Sequence, residues 1–225
     1  MAYVRTVFDH NFIEYASYVI RDRAIPHLDD GLKPVQRRIL HSLLEMDDGK
    51  LHKVANVVGH CMRYHPHGDA SIYSALVVLA NKELLIDKQG NFGNILTGDE
   101  ASAARYIECR AHPMAKDILY NPELTTYEES YDGRNKEPVT FPAKIPLLLL
   151  HGAEGIAVGM STKILSHNFV EVVQAMQAQI QNKPFILYPD SPTGGLLDAT
   201  DYEDGNGRVR VRALLDTKDP KRIVV

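Results

Sequence analysis

The stretch KVANVVGHCMRYHPHGDASIYSALVVLA (residues 53–80) decides the fold. Apolar side chains recur at helical spacing over residues 53–62 and again over residues 69–80, which predicts two helices. Between them, the segment YHPHGD (residues 64–69) contains a proline and a glycine, which interrupt regular structure. Asp69 can cap the second helix with its carboxylate. Two helices joined by a short turn are typical of a helix-turn-helix.

Further helices are predicted upstream of this stretch. Residues 12–20 place apolar side chains at helical spacing, and Pro26 ends the pattern. The next helix has Pro34 in its first turn, where a missing N–H costs nothing, and Gly49 ends it. The first part of the chain is therefore expected to be mainly helical.

Downstream, the pattern changes to short strands. Residues 84–87, followed by GNFG (residues 90–93), predict a strand and a turn that would form the wing of a winged helix. Asn168 is expected to cap one further helix. The other strand candidates are residues 128–131, 139–141, 147–150, 156–158 and 207–213. The predicted class is α+β, with a helical first half and a mixed second half.

Composition excludes several classes of protein. The 225 residues, 44% of them hydrophobic, are enough for a globular core, and no unbroken apolar run approaches the ~18 residues of a membrane span. Residues 1–5 lack the apolar region of a secretory signal. Two cysteines, Cys61 and Cys109, do not make a disulfide framework and are expected to be buried thiols in a reducing compartment.

The charge is unevenly distributed. The formal net charge is −4, but residues 33–67 carry six lysines and arginines against three acidic residues. Residues 117–137 carry six acidic residues against two basic ones. A basic surface on the helix-turn-helix is compatible with a nucleic-acid partner or with a solvated face.

The segment AARYIE (residues 103–108) carries the clearest chemistry. A tyrosine phenol has a pKa near ~10 and is a weak nucleophile without help. The adjacent Arg105 could stabilise charge on a phosphate that Tyr106 attacks, because a guanidinium grips phosphate oxygens with two bonds. Neighbours in an extended segment point to opposite sides, so the pair needs a bent backbone to share one phosphate.

His65 and His67 flank Pro66 in the YHPHGD segment, and three interpretations remain open. An imidazole can hydrogen-bond a phosphate oxygen or relay a proton, and helix N-termini favour phosphate. The two histidines with Asp69 could instead hold a metal ion. The segment could also be ordinary turn chemistry. The phosphate interpretation fits best beside Tyr106.

Two other residues have a structural and a functional interpretation. Lys33, at the start of a helix, is either solvated or a phosphate contact. Ile156, between two glycines, is a core residue or a wedge that could enter a base step. The chain contains neither a Walker-type ATP loop nor an Asp-x-Asp motif after an apolar strand, so ATP or Mg²⁺ would have to be held by another chain.

Five segments occur in a specific order: DGLKPVQRR (residues 30–38), YHPHGD (64–69), QGNFG (89–93), ARY (104–106) and GIAVGM (155–160). Together they strongly resemble the A-type subunit of bacterial type IIA DNA topoisomerases, the family that includes the A subunits of DNA gyrase and of topoisomerase IV. The resemblance covers most of the chain.

The resemblance implies a role for each matching residue. Tyr106 would be the nucleophile that becomes linked to the 5′ phosphate of cleaved DNA, and Arg105 would stabilise the transition state. His67 would be the third catalytic residue. The implied DNA contacts are Lys33, Arg37, Arg38, His65, His67 and, as the intercalating residue, Ile156. Ala70 and Ser74 fall where relatives often carry a serine and an acidic residue that anchor quinolones, which predicts a weakened quinolone response.

The resemblance also implies an architecture and an assembly. Residues 1–26 would be an N-terminal helical arm, residues 27–123 the winged-helix cleavage domain, and residues 124–225 part of a tower domain. Family members run much further, so the sequence is expected to be part of a longer chain. A homodimer of A chains would join B-type subunits to give A2B2, acting on double-stranded DNA in the bacterial cytoplasm, in association with the nucleoid, with no membrane partner. The B-type subunit would hold Mg²⁺ and ATP.

The leading hypothesis is an ATP-dependent isomerase that cleaves and reseals double-stranded DNA through a phosphotyrosine. One alternative is a winged-helix module that binds DNA without chemistry. A second alternative is a metal-dependent phosphoesterase that uses His65, His67 and Asp69.

Overall fold

The computed structural model describes residues 2–219, 221, 222 and 224. The chain divides into two compact units, one of Met1–Leu147 with Glu154–Thr162 and one of Leu148–Ala153 with Lys163–Val225. Within the described residues it forms seven α-helices and nine short strands, which confirms the α+β class. These units follow spatial contacts, so the domain limits proposed at residues 26/27 and 123/124 remain a prediction.

Helices dominate the first 81 residues, as the sequence predicts. The first helix continues as a π-helical turn, Ile20–Ala24, and ends where Ile25 becomes extended ahead of Pro26. The four helices are α1 (Ala2–Val19), α2 (Pro34–Glu45), α3 (Val54–Cys61) and α4 (Asp69–Asn81).

Helices α2, α3 and α4 pack against one another and enclose the core of the first unit. Their inward apolar positions are almost fully buried, and burying such a side chain stabilises the fold by about 1.5–3 kcal/mol. These buried side chains include Ile39, Leu40, Leu43, Val54, Val57, Ile72, Leu76 and Leu79. Cys61 and Cys109 are buried free thiols, as expected, and burial raises the pKa of each to about 12.

The start of α4 differs from the predicted cap. Gly68 occupies the N-cap position, and Asp69 is already the first helical residue. The Asp69 carboxylate accepts a hydrogen bond from the Ala70 N–H at 2.9 Å, so it still places negative charge at the positive end of the helix.

A three-stranded antiparallel sheet completes the winged helix. The predicted strand begins two residues late because Glu83 and Leu84 have positive φ angles of 59° and 69°, which a strand cannot contain. The central strand lies outside the sequence prediction; its Cys109 pairs with His52 on one side and Lys88 on the other. The strands are β1 (His52–Lys53), β2 (Ile86–Gln89) and β3 (Glu108–Ala111), in the order β1-β3-β2.

Short elements follow β3 along the rest of the chain. Strands β4 and β5 pair with each other, and so do β8 and β9. The β6 and β7 strands form a two-stranded hairpin. In order, the elements are α5 (Pro113–Leu119), β4 (Tyr127–Glu129), β5 (Lys136–Pro138), α6 (Leu147–His151), β6 (Ala153–Ile156), β7 (Ser161–Ile164), α7 (Phe169–Ile180), β8 (Leu196–Asp198) and β9 (Arg210–Arg212).

Two strand predictions in this part are wrong. Residues 147–150 form helix α6, because leucine favours helix and Pro146 precedes the first turn. Residues 139–141 lie outside the sheet, because the Phe141 N–H donates to the buried Asp30 carboxylate at 3.0 Å instead of to a strand.

The predicted cap of α7 is confirmed: the Asn168 side chain accepts a hydrogen bond from the Val170 N–H at 2.9 Å. No helix in the described part of the chain has the length and apolarity needed to cross a membrane.

Candidate functional site

Residues 103–106, named here the tyrosine turn, present Tyr106 to solvent. The Tyr106 N–H donates to the Ala103 carbonyl at 2.9 Å, which closes the turn. The Tyr106 residue is 64% exposed. The Arg105 guanidinium carbon lies 4.5 Å from the centroid of the Tyr106 ring. The bent backbone that the sequence requires is therefore present, and it places both side chains on one side.

Two helices of the winged helix hold the tyrosine turn in place. The Ala55 N–H at the start of α3 donates to the Ala104 carbonyl at 3.0 Å. The Tyr73 hydroxyl of α4 donates to the Ser102 carbonyl at 2.7 Å. The first N–H groups of a helix have no partner within the helix. The Ala104 carbonyl therefore supplies a hydrogen-bond acceptor to α3, and this bond fixes the position of the tyrosine turn. An exposed tyrosine is thereby carried on a well-anchored backbone.

His65 is buried, and its ring is neutral at neutral pH. Arg38 Nη1 donates to His65 Nδ1 at 3.1 Å, which leaves the ring proton on Nε2. Burial, followed by the positive charge of Arg38, lowers the pKa of His65 to about 4. His65 can therefore act as a neutral hydrogen-bond donor and does not carry charge to a phosphate.

His67 is exposed beside His65. Its Nε2 lies 2.8 Å from the Tyr18 hydroxyl of α1, and its ring packs edge-on against His65 with the centroids 4.7 Å apart. The structure therefore brings the two histidines together, as the phosphate interpretation requires.

One ring nitrogen of each histidine in the YHPHGD segment already has a hydrogen-bond partner. His65 Nδ1 accepts from Arg38, and His67 Nε2 is bonded to Tyr18. Over residues 2–219, 221, 222 and 224, the structure groups no three His, Cys, Asp or Glu side chains that could hold a metal ion.

Arg37 and Arg38, predicted as DNA contacts, are used within the protein. The Arg37 guanidinium is buried and binds the Asp30 carboxylate, with Nε–Oδ2 at 2.6 Å and Nη2–Oδ1 at 2.9 Å. Arg38 makes a two-point ion pair with Glu137 as well as its bond to His65. Both guanidinium groups are thus paired with carboxylates, the Arg37 side chain being 8% exposed and the Arg38 side chain 19% exposed, so that they support the site, and a DNA contact by either stays a prediction.

Lys33 is half-buried at the start of α2. Its Nζ donates to the Glu154 carbonyl at 2.7 Å, and burial lowers the pKa of the ammonium group. The contact joins the basic helix start to β6, the strand that ends at Ile156.

Ile156 is 79% exposed, so the core interpretation is wrong for this residue. The preceding Gly155 lies against the chain so closely that an added Cβ would meet the Ala24 carbonyl oxygen at 2.2 Å. A glycine is therefore required there, and the next side chain projects from the hairpin into solvent.

Ala70 and Ser74 are exposed one helical turn apart on α4. Residues four apart share a helix face, as a bridging ligand would require. Ala70 also lines a cavity of about 310 Å³ with Met62, Tyr73 and Ala104, which places it next to the tyrosine turn.

Two residues of this arrangement escape sequence reasoning. Tyr18 and Glu137 each bond a site residue or its neighbour from another part of the chain. Tyr18 lies 49 positions from His67, and Glu137 lies 99 positions from Arg38. No spacing or motif signals a contact over such separations.

Comparison with known proteins gives a consistent result. The family described as the A subunit of DNA gyrase/topoisomerase IV matches residues 23–225. The A subunit of DNA topoisomerase 4 from Borreliella burgdorferi is 61% identical over 222 residues, which are 99% of this chain and 36% of that protein. The DNA gyrase A subunit of Thermotoga maritima is 41% identical over 95% of this chain and 29% of its own length. The A subunit of DNA topoisomerase 4 from Caulobacter vibrioides is also 41% identical, over 94% of this chain and 31% of its own length.

The chain thus spans about a third of the length of these relatives. The match extends over both compact units and includes the tyrosine turn and the YHPHGD segment. The chain belongs to the family of DNA gyrase/topoisomerase IV A subunits.

Proposed function

We propose that this chain is the DNA breakage-reunion part of a type IIA topoisomerase, an isomerase that changes DNA topology. The Tyr106 phenol gives up its proton and its oxygen attacks a phosphodiester. The bond from phosphorus to the 3′ oxygen breaks, and the leaving oxygen takes up a proton, so that a 5′-phosphotyrosine and a 3′ hydroxyl result. The reverse attack reseals the strand. The observation that carries this proposal is the exposed Tyr106 ring beneath the Arg105 guanidinium.

The neighbouring side chains supply the electrostatic part of the reaction. Arg105 neutralises charge that builds on the phosphate oxygens in the transition state. His67 donates a hydrogen bond to the same phosphate, while the ring of neutral His65, itself bonded to Arg38, packs against His67. Lys33 contacts a backbone phosphate, and Ile156 enters a base step and bends the duplex.

The wider assembly is also part of the proposal. Two A chains, each with one Tyr106, cut the two strands of a duplex. A B-type subunit holds Mg²⁺ and ATP, giving A2B2, and ATP hydrolysis drives strand passage. The phosphotyrosine retains the energy of the phosphodiester, so resealing itself needs no ATP. We place this enzyme in the bacterial cytoplasm, in association with the nucleoid.

The test is a covalent-adduct assay with the full-length A subunit, its B-type subunit, Mg²⁺ and supercoiled DNA. After quenching with detergent, the native protein is expected to give protein-linked DNA on a denaturing gel. Tyr106→Phe should reduce the adduct at least about a thousandfold, because the nucleophile is lost. DNA binding without cleavage should remain within about twofold, because only one hydroxyl is removed.

The matched control is Tyr131→Phe, since Tyr131 is 58% exposed in the same compact unit. It should leave the adduct unchanged. Undiminished adduct with Tyr106→Phe would overturn the assignment of the nucleophile. DNA binding by the native protein with no adduct under any condition would favour the non-catalytic DNA-binding module.

A further inference from the structure

The hydroxyl of Tyr18 is the hydrogen-bond partner of His67. It lies 2.8 Å from Nε2, across 49 positions of sequence. In the described part of the chain, the Nδ1 atom of His67 has no hydrogen-bond partner. One ring nitrogen of His67 is thus held by the protein, and the residue is exposed beside His65.

The chemistry of the pair defines which nitrogen carries the proton. A phenol is a better donor than acceptor, and a neutral imidazole has one donor and one acceptor nitrogen. This chemistry favours donation by Tyr18 to Nε2, which places the proton of a neutral His67 on Nδ1. The tautomer is the opposite of that in His65, where Arg38 donates to Nδ1 and the proton is on Nε2.

The two histidines are held by different parts of the chain. His65 is fixed through Arg38 by the buried Glu137, and His67 is fixed by the end of helix α1. Their rings contact each other edge-on at 4.7 Å, so neither can rotate without disturbing the other. The N–H of His67 that remains available is the one on Nδ1.

We propose that Tyr18 is a positioning residue for DNA cleavage, which fixes His67 in the Nδ1–H tautomer so that this N–H donates to the phosphate attacked by Tyr106. No proton is transferred through Tyr18; it sets the orientation and the donor of a neighbouring group. The inference rests on the proposed function, and it adds helix α1 to the parts of the chain that shape the site.

The test uses Tyr18→Phe in the full-length subunit, which keeps the ring and removes the hydroxyl. The first readout is the ¹⁵N spectrum of histidine-labelled protein without DNA, in solid-state samples at a pH where His67 is neutral. His67→Gln identifies the His67 signals by their loss. Native protein should show protonated Nδ1 and unprotonated Nε2, and Tyr18→Phe should shift His67 to a tautomer mixture or to Nε2–H.

The second readout is the rate of covalent-adduct formation with the B-type subunit, Mg²⁺ and DNA. Tyr18→Phe should slow it roughly fivefold, the size expected for one solvent-exposed hydrogen bond, with unchanged DNA affinity. The control is Tyr15→Phe, one turn earlier on α1 and 56% exposed, which should alter neither readout.

Each outcome decides one of the two proposals. An Nε2–H tautomer in the native protein, or an unchanged tautomer in Tyr18→Phe, would overturn the positioning role. A changed tautomer with unchanged cleavage would overturn it as well. Adduct retained by Tyr106→Phe would instead overturn the proposed function, and it would leave the tautomer result unaffected because that spectrum is recorded without DNA.

Discussion

Tyr64 and Tyr106 lie in two regions of the winged helix with opposite surroundings. Tyr64 is 1% exposed, and its hydroxyl donates to the Glu45 carboxylate. Tyr106 is 64% exposed, and the Arg105 guanidinium lies over its ring. The same contrast separates the adjacent histidines, since His65 is buried and His67 is exposed.

The comparison shows how one residue type takes two roles. Burial, and then the hydrogen bond to Glu45, raise the pKa of Tyr64 far above that of a free phenol, so Tyr64 keeps its proton. Its contribution is to packing and to satisfying a carboxylate. Tyr106 has no carboxylate partner among the described residues and has a cation beside it, so it contributes chemistry at little cost to folding.

The largest expected effect is on stability. Tyr64→Ala should lower the free energy of unfolding by about 3–5 kcal/mol, because it removes a fully buried aromatic ring. Tyr106→Ala should change it by less than about 0.5 kcal/mol, because the ring is mostly in solvent. Urea denaturation followed by circular dichroism measures both. Equal losses of unfolding free energy for the two variants would contradict the conclusion that Tyr64 stabilises the fold and Tyr106 does not.

The next effect is on catalysis and concerns the cation over Tyr106. Arg105→Ala should slow covalent-adduct formation by about 10²–10³, the cost of removing one charged stabiliser of a transition state. Arg105→Lys should recover only part of the rate, since an ammonium group cannot grip two oxygens in a plane. The control is Arg134→Ala, whose side chain is 84% exposed in the same unit. A rate unchanged by Arg105→Ala would remove Arg105 from the site.

Sequence periodicity predicts the helical core because the apolar faces of α2, α3 and α4 are continuous. Periodicity fails where the secondary structure is decided by a neighbouring proline or by a long-range hydrogen bond. Four consecutive leucines, residues 147–150, carry no period and so resemble a buried strand, although a proline ahead of them favours a helix start. Residues 139–141 have strand-forming side chains, but the Phe141 N–H is bonded to Asp30.

The site is predictable from sequence in its chemistry and not in its supporting contacts. Residue types and the order of the motifs single out Tyr106, Arg105 and the histidine pair, and their roles stay a prediction. The positive charge of residues 33–67 leaves open whether they face solvent or DNA, and the resemblance implies DNA contacts for Arg37 and Arg38; in the structure both are paired with carboxylates within the protein. Sequence charge counts cannot distinguish a free arginine from a paired one, because the pairing partner is set by the fold.

The buried half of the histidine pair predicts a pH effect. Folded His65 has a pKa of about 4, against 6.5 for an ordinary histidine. The unfolded chain therefore binds more protons between these values, and stability falls as the pH drops from about 6.5 to 4, by roughly 3 kcal/mol in total. His65→Gln should remove this part of the pH dependence, as measured by urea denaturation at pH 4 to 7. Parallel curves for the native and variant proteins would contradict it.

A smaller effect is expected at Ile156, which resembles Tyr106 in being exposed on a closely constrained backbone. Ile156→Ala should leave stability within about 0.5 kcal/mol, because the side chain is 79% exposed. It should reduce DNA bending, measured by energy transfer between end-labelled duplex ends, and weaken DNA affinity by about tenfold at most. Met160→Ala, 59% exposed on the same hairpin, is the control. Equal DNA bending by the native protein, Ile156→Ala and Met160→Ala would show that Ile156 is an ordinary surface residue that does not enter the duplex.

The smallest effect is expected at Lys33. In its surroundings Lys33 lies between the buried Tyr64 and the exposed Tyr106, because it is half-buried and bonded to the Glu154 carbonyl. If its ammonium group also contacts a phosphate, Lys33→Ala should reduce the slope of log K against log salt by about 1 and weaken binding equally for all DNA sequences. Lys116→Ala is the control, because Lys116 is already paired with Asp47 and should leave the slope unchanged. An unchanged slope with Lys33→Ala would show that Lys33 does not contact phosphate and has a structural role, in which it supports the strand that leads to Ile156. The DNA contacts would then be limited to the exposed tyrosine turn, His67 and Ile156.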